Sequence, residues 1–312
     1  MADEPANTSA NAASAPVSSQ YQIDAASANG LRELLHYGAE LPPVVSAHRG
    51  GAGPGLPENC IATFEQTLAH GYAMLEVDPR LTRDGVVVLH HDATLDRTTT
   101  GTGPISEFSL GELKHLKLKD SNGVVTDHRI NTLSEAFEWA RGKAILVIDS
   151  KDLSVAQRVE QIEKHNAEAY AMIIAGSLKA AQECYQLNPN IMMEVMIPDR
   201  DRLGEFEAAG IPWDRVVAFV GHQPTEDQQL IQMLHDRGVL VMGGTSRNLD
   251  LELSQRRDGA QLLEQRYRDL VARGIDLIET DLPRSVWPIL FGDSGGRQAT
   301  RALRRVQISD AK

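Results

Sequence analysis

The sequence predicts a (β/α)8 TIM barrel, an α/β fold, with a small insertion after the second strand. From residue 44 onward, short runs rich in β-branched residues alternate with amphipathic stretches of helical period. Strand followed by helix, repeated along a chain, indicates parallel strands joined by crossover helices. The 312 residues suffice for one barrel of about 250 residues with extensions.

Nine runs have the character of strands, and most are followed by a stretch of helical period. The predicted strands are 44–48, 73–78, 86–91, 144–149, 170–175, 191–197, 215–220, 239–243 and 275–280. The predicted helices are 58–70, 132–142, 154–166, 178–187, 200–209, 225–237, 259–273 and 283–291. Several helices are followed by the glycine that commonly ends a helix: Gly71, Gly142, Gly210, Gly238 and Gly274.

Nine strands are one too many for an eightfold barrel, and the third run is the exception. Only residues 80–85 separate it from the second run, and this segment has the composition of a turn with no room for a helix. We therefore predict an insertion over residues 79–131, which leaves eight strand–helix units. The alternative, an open doubly wound sheet, needs a glycine-rich fingerprint leading into a helix. Residues 50–55 contain Pro54 and precede no matching helix.

Composition restricts the class of protein. Apolar residues make up 42% of the chain, which is ordinary for a globular domain. The net charge of −12 repels nucleic acid, so we expect no nucleic-acid partner. No run approaches about 18 uninterrupted apolar residues, so we expect no membrane span. A small molecule is the expected partner, and the sequence does not decide the oligomeric state.

The chain is predicted to have a disordered tail over residues 1–30 and one domain over residues 31–312. Residues 2–20 are small and polar, without the basic and apolar regions of an intact signal peptide. The segment is similar to what remains after a signal peptide is removed, so we expect a periplasmic or secreted protein, with a cytoplasmic one as the alternative. Cys60 and Cys184 are expected to be buried thiols, and their spacing does not decide whether they pair.

Charged and imidazole side chains stand where the predicted strands end. In (β/α)8 barrels the carboxyl ends of the strands form the working face, so these side chains should converge there. The residues concerned are His48, Glu76, Asp78, Asp149, and Glu279 or Asp281.

Glu76 and Asp78 predict a metal site. They are two residues apart on one strand, so both side chains point to the same face. Neighbouring carboxylates repel each other unless a cation lies between them. Oxygen ligands favour one hard divalent cation, Mg²⁺ or Ca²⁺, with Mn²⁺ possible. Asp149, which closes an apolar strand, is the third candidate ligand. The alternative is an inward charged pair neutralised by an arginine such as Arg49.

The order of several short motifs resembles the glycerophosphodiester phosphodiesterase family over about residues 44–290. The motifs are His48-Arg49-Gly50, Pro57-Glu58-Asn59, Glu76-x-Asp78, His91-Asp92, Leu95-Asp96-Arg97-Thr98-Thr99 and Gly101-Thr102-Gly103. The resemblance extends weakly to residues 148–151 and 274–281. Two departures stand out: the family usually has Glu where Asp149 stands, and often Trp-Thr-Val near Gly243-Gly244.

The resemblance implies roles for the residues of these motifs. His48 and His91 are expected to be the general acid/base pair, since imidazole titrates near neutral pH. Arg49 and Lys151 are expected to bind phosphate, although Lys151 could instead pair with the carboxylates. Glu58 and Asn59 are expected to bind substrate, the metal shell or Arg49, with helix capping as an alternative for Asn59. His90 is predicted to face outward.

The expected function is metal-dependent hydrolysis of glycerophosphodiesters to glycerol 3-phosphate and an alcohol. The nucleophile is either water or the glycerol 2-hydroxyl, and the sequence does not choose between them. The alternative is a phosphodiester lyase or transferase acting on a lysophospholipid or a sugar phosphodiester, motivated by the pocket wall that Gly243-Gly244 would enlarge or reshape. His222 and Gln223 are further rim candidates. A non-catalytic binding protein is disfavoured by the intact His48, Glu76, Asp78 and His91.

Overall fold

Eight parallel strands form a closed barrel, as the sequence predicts. The computed structural model describes residues 21–38, 43–255 and 260–292. The barrel order is β1-β10-β9-β8-β7-β6-β5-β2. These strands are β1 (Val44–Ala47), β2 (Ala73–Val77), β5 (Ile145–Ile148), β6 (Ala171–Ala175), β7 (Met192–Met196), β8 (Val216–Phe219), β9 (Leu240–Gly244) and β10 (Leu277–Thr280).

Helices separate the barrel strands within the described residues. They are α2 (Ile61–Leu68), α4 (Leu133–Ala140), α5 (Val155–Lys164), α6 (Leu178–Leu187), α7 (Arg200–Ala208), α8 (Gln228–His235), α9 (Leu249–Ser254) and α10 (Ala260–Ala272). A further helix, α11, covers residues 283–292. Thr132 and Ser154 begin α4 and α5 through capping boxes with Glu135 and Gln157, so local sequence fixes these starts. The short helix α9 was not predicted.

Residues 79–131 form the insertion, and the third strand-like run belongs to it. The strands β3 (Pro79–Leu81) and β4 (Val87–Leu89) make an antiparallel two-stranded sheet outside the barrel. The short helix α3 (Leu110–Leu113) also lies in the insertion. A separate apolar cluster supports the insertion together with one buried residue from outside it, Cys60. Its buried members from the insertion are Val88, Leu95, Ile105, Leu113, Leu118 and Ile130.

The lower part of the barrel interior is apolar, which leaves the functional side chains at one end. Alternate strand residues such as Val44, Met74 and Met192 point inward and form one cluster. The helix α1 (Ala28–Leu34) belongs to this cluster through Leu31 and Leu34, so it lies against the amino-terminal end of the strands. The outward-facing strand residues pack against the surrounding helices.

The disorder predicted for residues 1–30 is wrong for residues 21–30. Ile23 is buried in the barrel cluster, and its backbone N–H donates to Lys143 O at 2.9 Å. Ser27 caps α1. Order was not predicted here because the segment is mostly polar and contains few apolar residues that could be buried. Residues 1–20 lie outside the described residues.

Two further sequence questions have structural answers. Cys60 and Cys184 are both buried and both free, so they do not pair. Of the helices in the described residues, none combines the length and apolar character needed to cross a bilayer.

Candidate active site

Three carboxylates converge at the carboxyl ends of the adjacent strands β2 and β5. Glu76 lies near the end of β2, Asp78 follows that strand, and Asp149 follows β5. One oxygen from each residue lies within 4.8 Å of the others. Glu76 and Asp78 are only 4% and 0% exposed. These are the three residues predicted to bind the metal, and they are the one such cluster found among the described residues.

The electrostatics of this cluster require positive charge. Burial and the adjacent charge of Asp78 raise the pKa of Glu76 well above its usual value. Lys151 Nζ lies 2.5 Å from Asp149 Oδ2 and 2.9 Å from Asp78 Oδ1. Burial opposes the charge of this ammonium, but the two aspartates outweigh it and raise the pKa of Lys151. The pairing with carboxylates that the sequence left open for Lys151 is therefore present.

Unusual backbone geometry turns three side chains at the site. Arg49, Asn59 and Lys151 have φ angles of 52°, 55° and 33°, in the left-handed region that non-glycine residues seldom adopt. At Arg49 this occurs within a single 3-10 turn over His48–Gly50. The turn allows the Arg49 backbone N–H to donate to Glu76 Oε2 at 2.7 Å, while Nε lies 3.7 Å from Asp78 Oδ2. An ideal strand would have pointed Arg49 away from the site.

Asn59 positions Asp78. Its side-chain amide donates to Asp78 Oδ2 at 2.6 Å, and its oxygen accepts from the Asp78 backbone N–H at 2.9 Å. Asn59 is 2% exposed, so the two ends of its amide are held by Asp78, the nitrogen by the carboxylate and the oxygen by the backbone N–H. The capping alternative is wrong, since Cys60 is the N-cap residue of α2.

Glu58 orients two arginines. Arg97 donates to its carboxylate at 2.7 and 2.9 Å, and Arg49 lies at 3.3 and 3.5 Å. Burial would raise the pKa of Glu58, but the two guanidinium groups outweigh burial and lower it. The geometry therefore supports the reading in which Glu58 orients Arg49.

His48 has a carboxylate partner. Its Nδ1 lies 2.6 Å from Asp281 Oδ1, just beyond β10. Burial disfavours the imidazolium, but the hydrogen bond and charge of Asp281 outweigh it and raise the pKa of His48. Asp281 is itself held, because its backbone N–H donates to Asp250 Oδ2 at 2.7 Å. Asp250 lies on the unpredicted helix α9, so sequence reasoning missed it.

His91 comes from the insertion and has a similar arrangement. Its Nδ1 lies 2.8 Å from Asp92 Oδ1. Arg97 donates to Asp92 at 2.7 and 2.9 Å as well as to Glu58. Arg97 thereby connects the His91 pair of the insertion to the Glu58–Arg49 pair of the barrel. The sequence analysis quoted Arg97 within a motif without giving it a role.

The prediction that His90 faces outward is wrong. His90 is 2% exposed, with Nδ1 2.9 Å from Asp92 O and Nε2 2.9 Å from Thr98 Oγ1. Strand alternation does not apply to it because β4 ends at Leu89.

A cavity of about 610 Å³ opens beside His48 and Arg49. Glu58 and Asp281 also line it, so one cavity reaches both the imidazole of His48 and the guanidinium of Arg49. Gln223, a predicted rim residue, lines a different cavity of about 790 Å³.

Comparison with known proteins identifies the family of the chain. The Glycerophosphoryl diester phosphodiesterase family matches residues 48–285, which is most of the chain. The chain belongs to this family.

Individual relatives of the glycerophosphoryl diester phosphodiesterase family are similar over different lengths. The glycerophosphodiester phosphodiesterase of Caldanaerobacter subterraneus is 32% identical over 161 residues, 49% of this chain and 66% of that protein. Glycerophosphodiester phosphodiesterase 1 of Homo sapiens is 38% identical over 93 residues, 29% of this chain and 28% of that protein. The chain thus matches two thirds or less of the length of these curated relatives.

Solved structures extend the family likeness to nearly the whole barrel. A glycerophosphoryl diester phosphodiesterase from Parabacteroides distasonis has a TM-score of 0.81 and 38% identity, with 86% of this chain and 93% of that one covered. An Oleispira antarctica phosphodiesterase, solved in complex with the product sn-glycerol-3-phosphate, has a TM-score of 0.58 and 23% identity, with coverages of 80% and 97%. At that identity it supports the shared fold.

The family departure at Gly243-Gly244 does not leave the pocket wall empty. A Cβ built on Gly244 would lie 3.0 Å from His222 Nδ1 and 3.1 Å from Glu279 Oε2. These two side chains therefore occupy the space that a larger residue at this position would need. Of the two alternatives that the sequence left open, the geometry favours a reshaped wall over an enlarged one, because His222 and Glu279 place polar groups there.

Proposed function

We propose that this protein hydrolyses glycerophosphodiesters to glycerol 3-phosphate and an alcohol, with a divalent cation and two histidines. The observation that carries the proposal is the convergence at one barrel end of a three-carboxylate cluster, an arginine and two carboxylate-bound histidines. Family membership supports the reaction class. The glycerol phosphate bound by the Oleispira antarctica phosphodiesterase supports the same product here.

The residues present fit a hard divalent cation. Glu76, Asp78 and Asp149 offer only oxygen donors, which Mg²⁺ or Ca²⁺ prefers and Mn²⁺ accepts. The raised pKa of the buried Glu76 indicates a carboxylate that is destabilised without added positive charge. When bound, such an ion would polarise a phosphoryl oxygen.

The two histidines divide the proton transfers. Asp281 favours the imidazolium of His48, so we assign His48 as the general acid that protonates the departing alkoxide. His91, held by Asp92, is then the general base. It would deprotonate either water or the glycerol 2-hydroxyl, and the second route passes through a cyclic phosphate. In both histidines Nδ1 is engaged by a carboxylate, which leaves Nε2 for proton transfer.

Arg49 and Lys151 would stabilise charge on the phosphate. Arg49 lines the cavity and has Glu58 behind it, so its guanidinium is held for a contact with a non-bridging oxygen. Lys151 lies between Asp78 and Asp149, which makes its main effect the offset of carboxylate charge beside the metal.

The test is hydrolysis of glycerophosphocholine by metal-free protein to which ions are added back. We expect no turnover after exhaustive EDTA dialysis and recovery with Mg²⁺, Mn²⁺ or Ca²⁺. Phosphorus NMR of the products separates the candidates, since glycerol 3-phosphate indicates hydrolysis and a terminal cyclic phosphate indicates the lyase alternative. Full turnover by the dialysed protein would contradict the metal role.

A further inference from the structure

Glu194 is an acidic residue that points into the barrel and is not a member of the metal cluster. It lies on β7, two residues after Met192, whose side chain belongs to the interior apolar cluster. Residues two apart on a strand share a face, so Glu194 also points inward. Its register partners are Ile174 on β6 and Val217 on β8, and it is 6% exposed.

Glu194 has no hydrogen-bond or ion-pair partner among the described residues. The charged groups that act on its pKa are other carboxylates, Glu279 and Asp149. Burial, with the repulsion of these groups, raises the pKa of Glu194 well above its usual value. A buried carboxylate in this condition is costly for the fold unless something else satisfies it. Glu194 is thus more than nine-tenths buried and unpartnered.

Glu279 is the second acidic residue of this part of the barrel mouth, by which we mean the carboxyl ends of the barrel strands. It lies on β10 beside Gly244 of β9, and it is 8% exposed. Its Oε2 lies 3.8 Å from His222 Nδ1, beyond hydrogen-bond distance, and that buried nitrogen has no hydrogen-bond partner. Burial, the nearby Arg247 and His48 lower the pKa of His222, so this imidazole supplies little positive charge near neutrality.

The two halves of the barrel mouth differ in charge balance. On the β2 and β5 side, Lys151 and Arg49 already offset the aspartates, and a divalent ion would add two charges. At the rim, Asp281 is paired with His48. Among the described residues, neither Glu194 nor Glu279 forms an ion pair with a lysine or an arginine, although His48 and Arg247 partly offset the charge of Glu279. A hydroxyl could donate a hydrogen bond to either carboxylate but would remove no charge.

We propose that Glu194 and Glu279 form a subsite for a positively charged group of the substrate, a primary or quaternary ammonium. This inference rests on the proposed phosphodiesterase function and names the class of phosphodiester that the site prefers. An ammonium next to both carboxylates would neutralise Glu194, which has no cation of its own, and would complete the partial charge offset at Glu279. Gly244 contributes by leaving the space in which Glu279 and His222 are accommodated.

The experiment compares substrates that differ in the charge of the alcohol. Glycerophosphocholine and glycerophosphoethanolamine carry a cation, whereas glycerophosphoglycerol does not. Glu194→Gln and Glu279→Gln keep the shape of each side chain and one accepting oxygen, and they remove its charge. We expect each to lower kcat/KM for the cationic substrates by about tenfold to a hundredfold, the usual range for a charged contact. On glycerophosphoglycerol we expect less than a threefold change. Glu160→Gln, at an exposed position on α5, is the matched control.

Choline binding provides a readout that does not depend on turnover. Calorimetric titration of the metal-loaded protein should detect choline with the wild type and lose it with Glu194→Gln. An equal loss of kcat/KM on charged and neutral substrates, or a larger loss on the neutral one, would overturn the subsite. If the wild type hydrolyses none of the three substrates, the proposed function fails, and choline titration then decides the subsite alone.

Discussion

At the residue scale, Asn59 shows how one buried amide can set the geometry of a carboxylate. Its two hydrogen bonds to Asp78, at 2.6 and 2.9 Å, fix both the side chain and the backbone of a candidate metal ligand. Its φ angle of 55° is one that asparagine tolerates better than most residues. Side-chain contact and backbone conformation therefore both favour asparagine at this position.

We expect Asn59→Gly and Asn59→Ala to weaken metal binding alike, by about tenfold, because both remove the hydrogen bonds to Asp78. Only the alanine variant should show an additional loss of stability, of about 1 kcal/mol, because only alanine is strained at positive φ. Calorimetric titration with Mn²⁺ and thermal unfolding measure the two effects. Wild-type metal affinity in either variant would remove the positioning role.

The pairing of His48 with Asp281 predicts a pH effect. Asp281 raises the pKa of His48, so the protonated acid survives to higher pH than an ordinary imidazole would allow. Asp281→Asn removes this charge, and the His48 pKa should fall. The alkaline limb of the kcat/KM profile should then move to lower pH. Asp214→Asn, at an exposed carboxylate, is the control. An alkaline limb that stays in place would show that His48 is not the acid.

The assignment of one acid and one base can be tested with the leaving group. His48→Ala and His91→Ala should each lower kcat by about 10² to 10⁴ on a natural substrate. The double variant should be little worse, since residues that act as a unit are not additive. A nitrophenyl leaving group needs no proton, so it should rescue His48→Ala and not His91→Ala. The assignment is wrong if both variants recover, or if only His91→Ala does.

At the scale of elements, the insertion contributes His91, one of the two histidines proposed for proton transfer. Arg97 joins it to the barrel by donating four hydrogen bonds, two to Asp92 and two to Glu58. One guanidinium therefore holds the partner of His91 and the partner of Arg49. Two such bidentate contacts need the planar guanidinium group of arginine, which carries several N–H donors in a fixed geometry.

Arg97→Lys should accordingly lower kcat/KM by about a hundredfold while the circular dichroism spectrum stays unchanged, because an ammonium cannot replace two bidentate contacts. Arg83→Lys is the matched control on the same insertion, since Arg83 is exposed and pairs with Glu112. Equal activities of the two variants would show that the Arg97 link is dispensable.

Elements at the site differ in how far sequence could predict them. The strand ends could be predicted, because apolar runs stop at Glu76, Asp78 and Asp149 and parallel strands bring their ends together. The roles of Asn59 and Arg97 could not, since each depends on a partner placed by left-handed or irregular backbone. Helix α9 is too short for a periodic signal, so Asp250 was missed. Glu194 stands inside an apolar strand, where sequence offers no indication of its partners.

At the scale of the whole molecule, metal binding should contribute to stability as well as to activity. The net charge of −12 and the buried carboxylates at the barrel mouth both oppose the compact state. A ligand that binds only the folded state stabilises it by about 2.7 kcal/mol at a concentration of 100 times Kd. A bound cation would therefore offset part of the negative charge that destabilises the folded state.

We expect Mg²⁺ or Ca²⁺ to raise the Tm of EDTA-treated wild type and to have little effect on Asp78→Asn, which loses a ligand charge and keeps the shape. Scanning calorimetry with and without ion measures both. Asp84→Asn, at a carboxylate outside the cluster, should respond as the wild type does. A metal-induced rise of equal size in Asp78→Asn would show that Asp78 is not a ligand.

The division between barrel and insertion has a consequence for divergence. The three candidate metal ligands lie on or next to barrel strands, whereas His91 and its partner Asp92 lie in the insertion, which has its own apolar cluster. If the proposed roles hold, substitutions within the insertion can alter proton transfer without moving a metal ligand, and substitutions on the inner strand faces can alter what is bound without moving His91. Evolution can thus modify reaction and substrate preference in separate stretches of one gene.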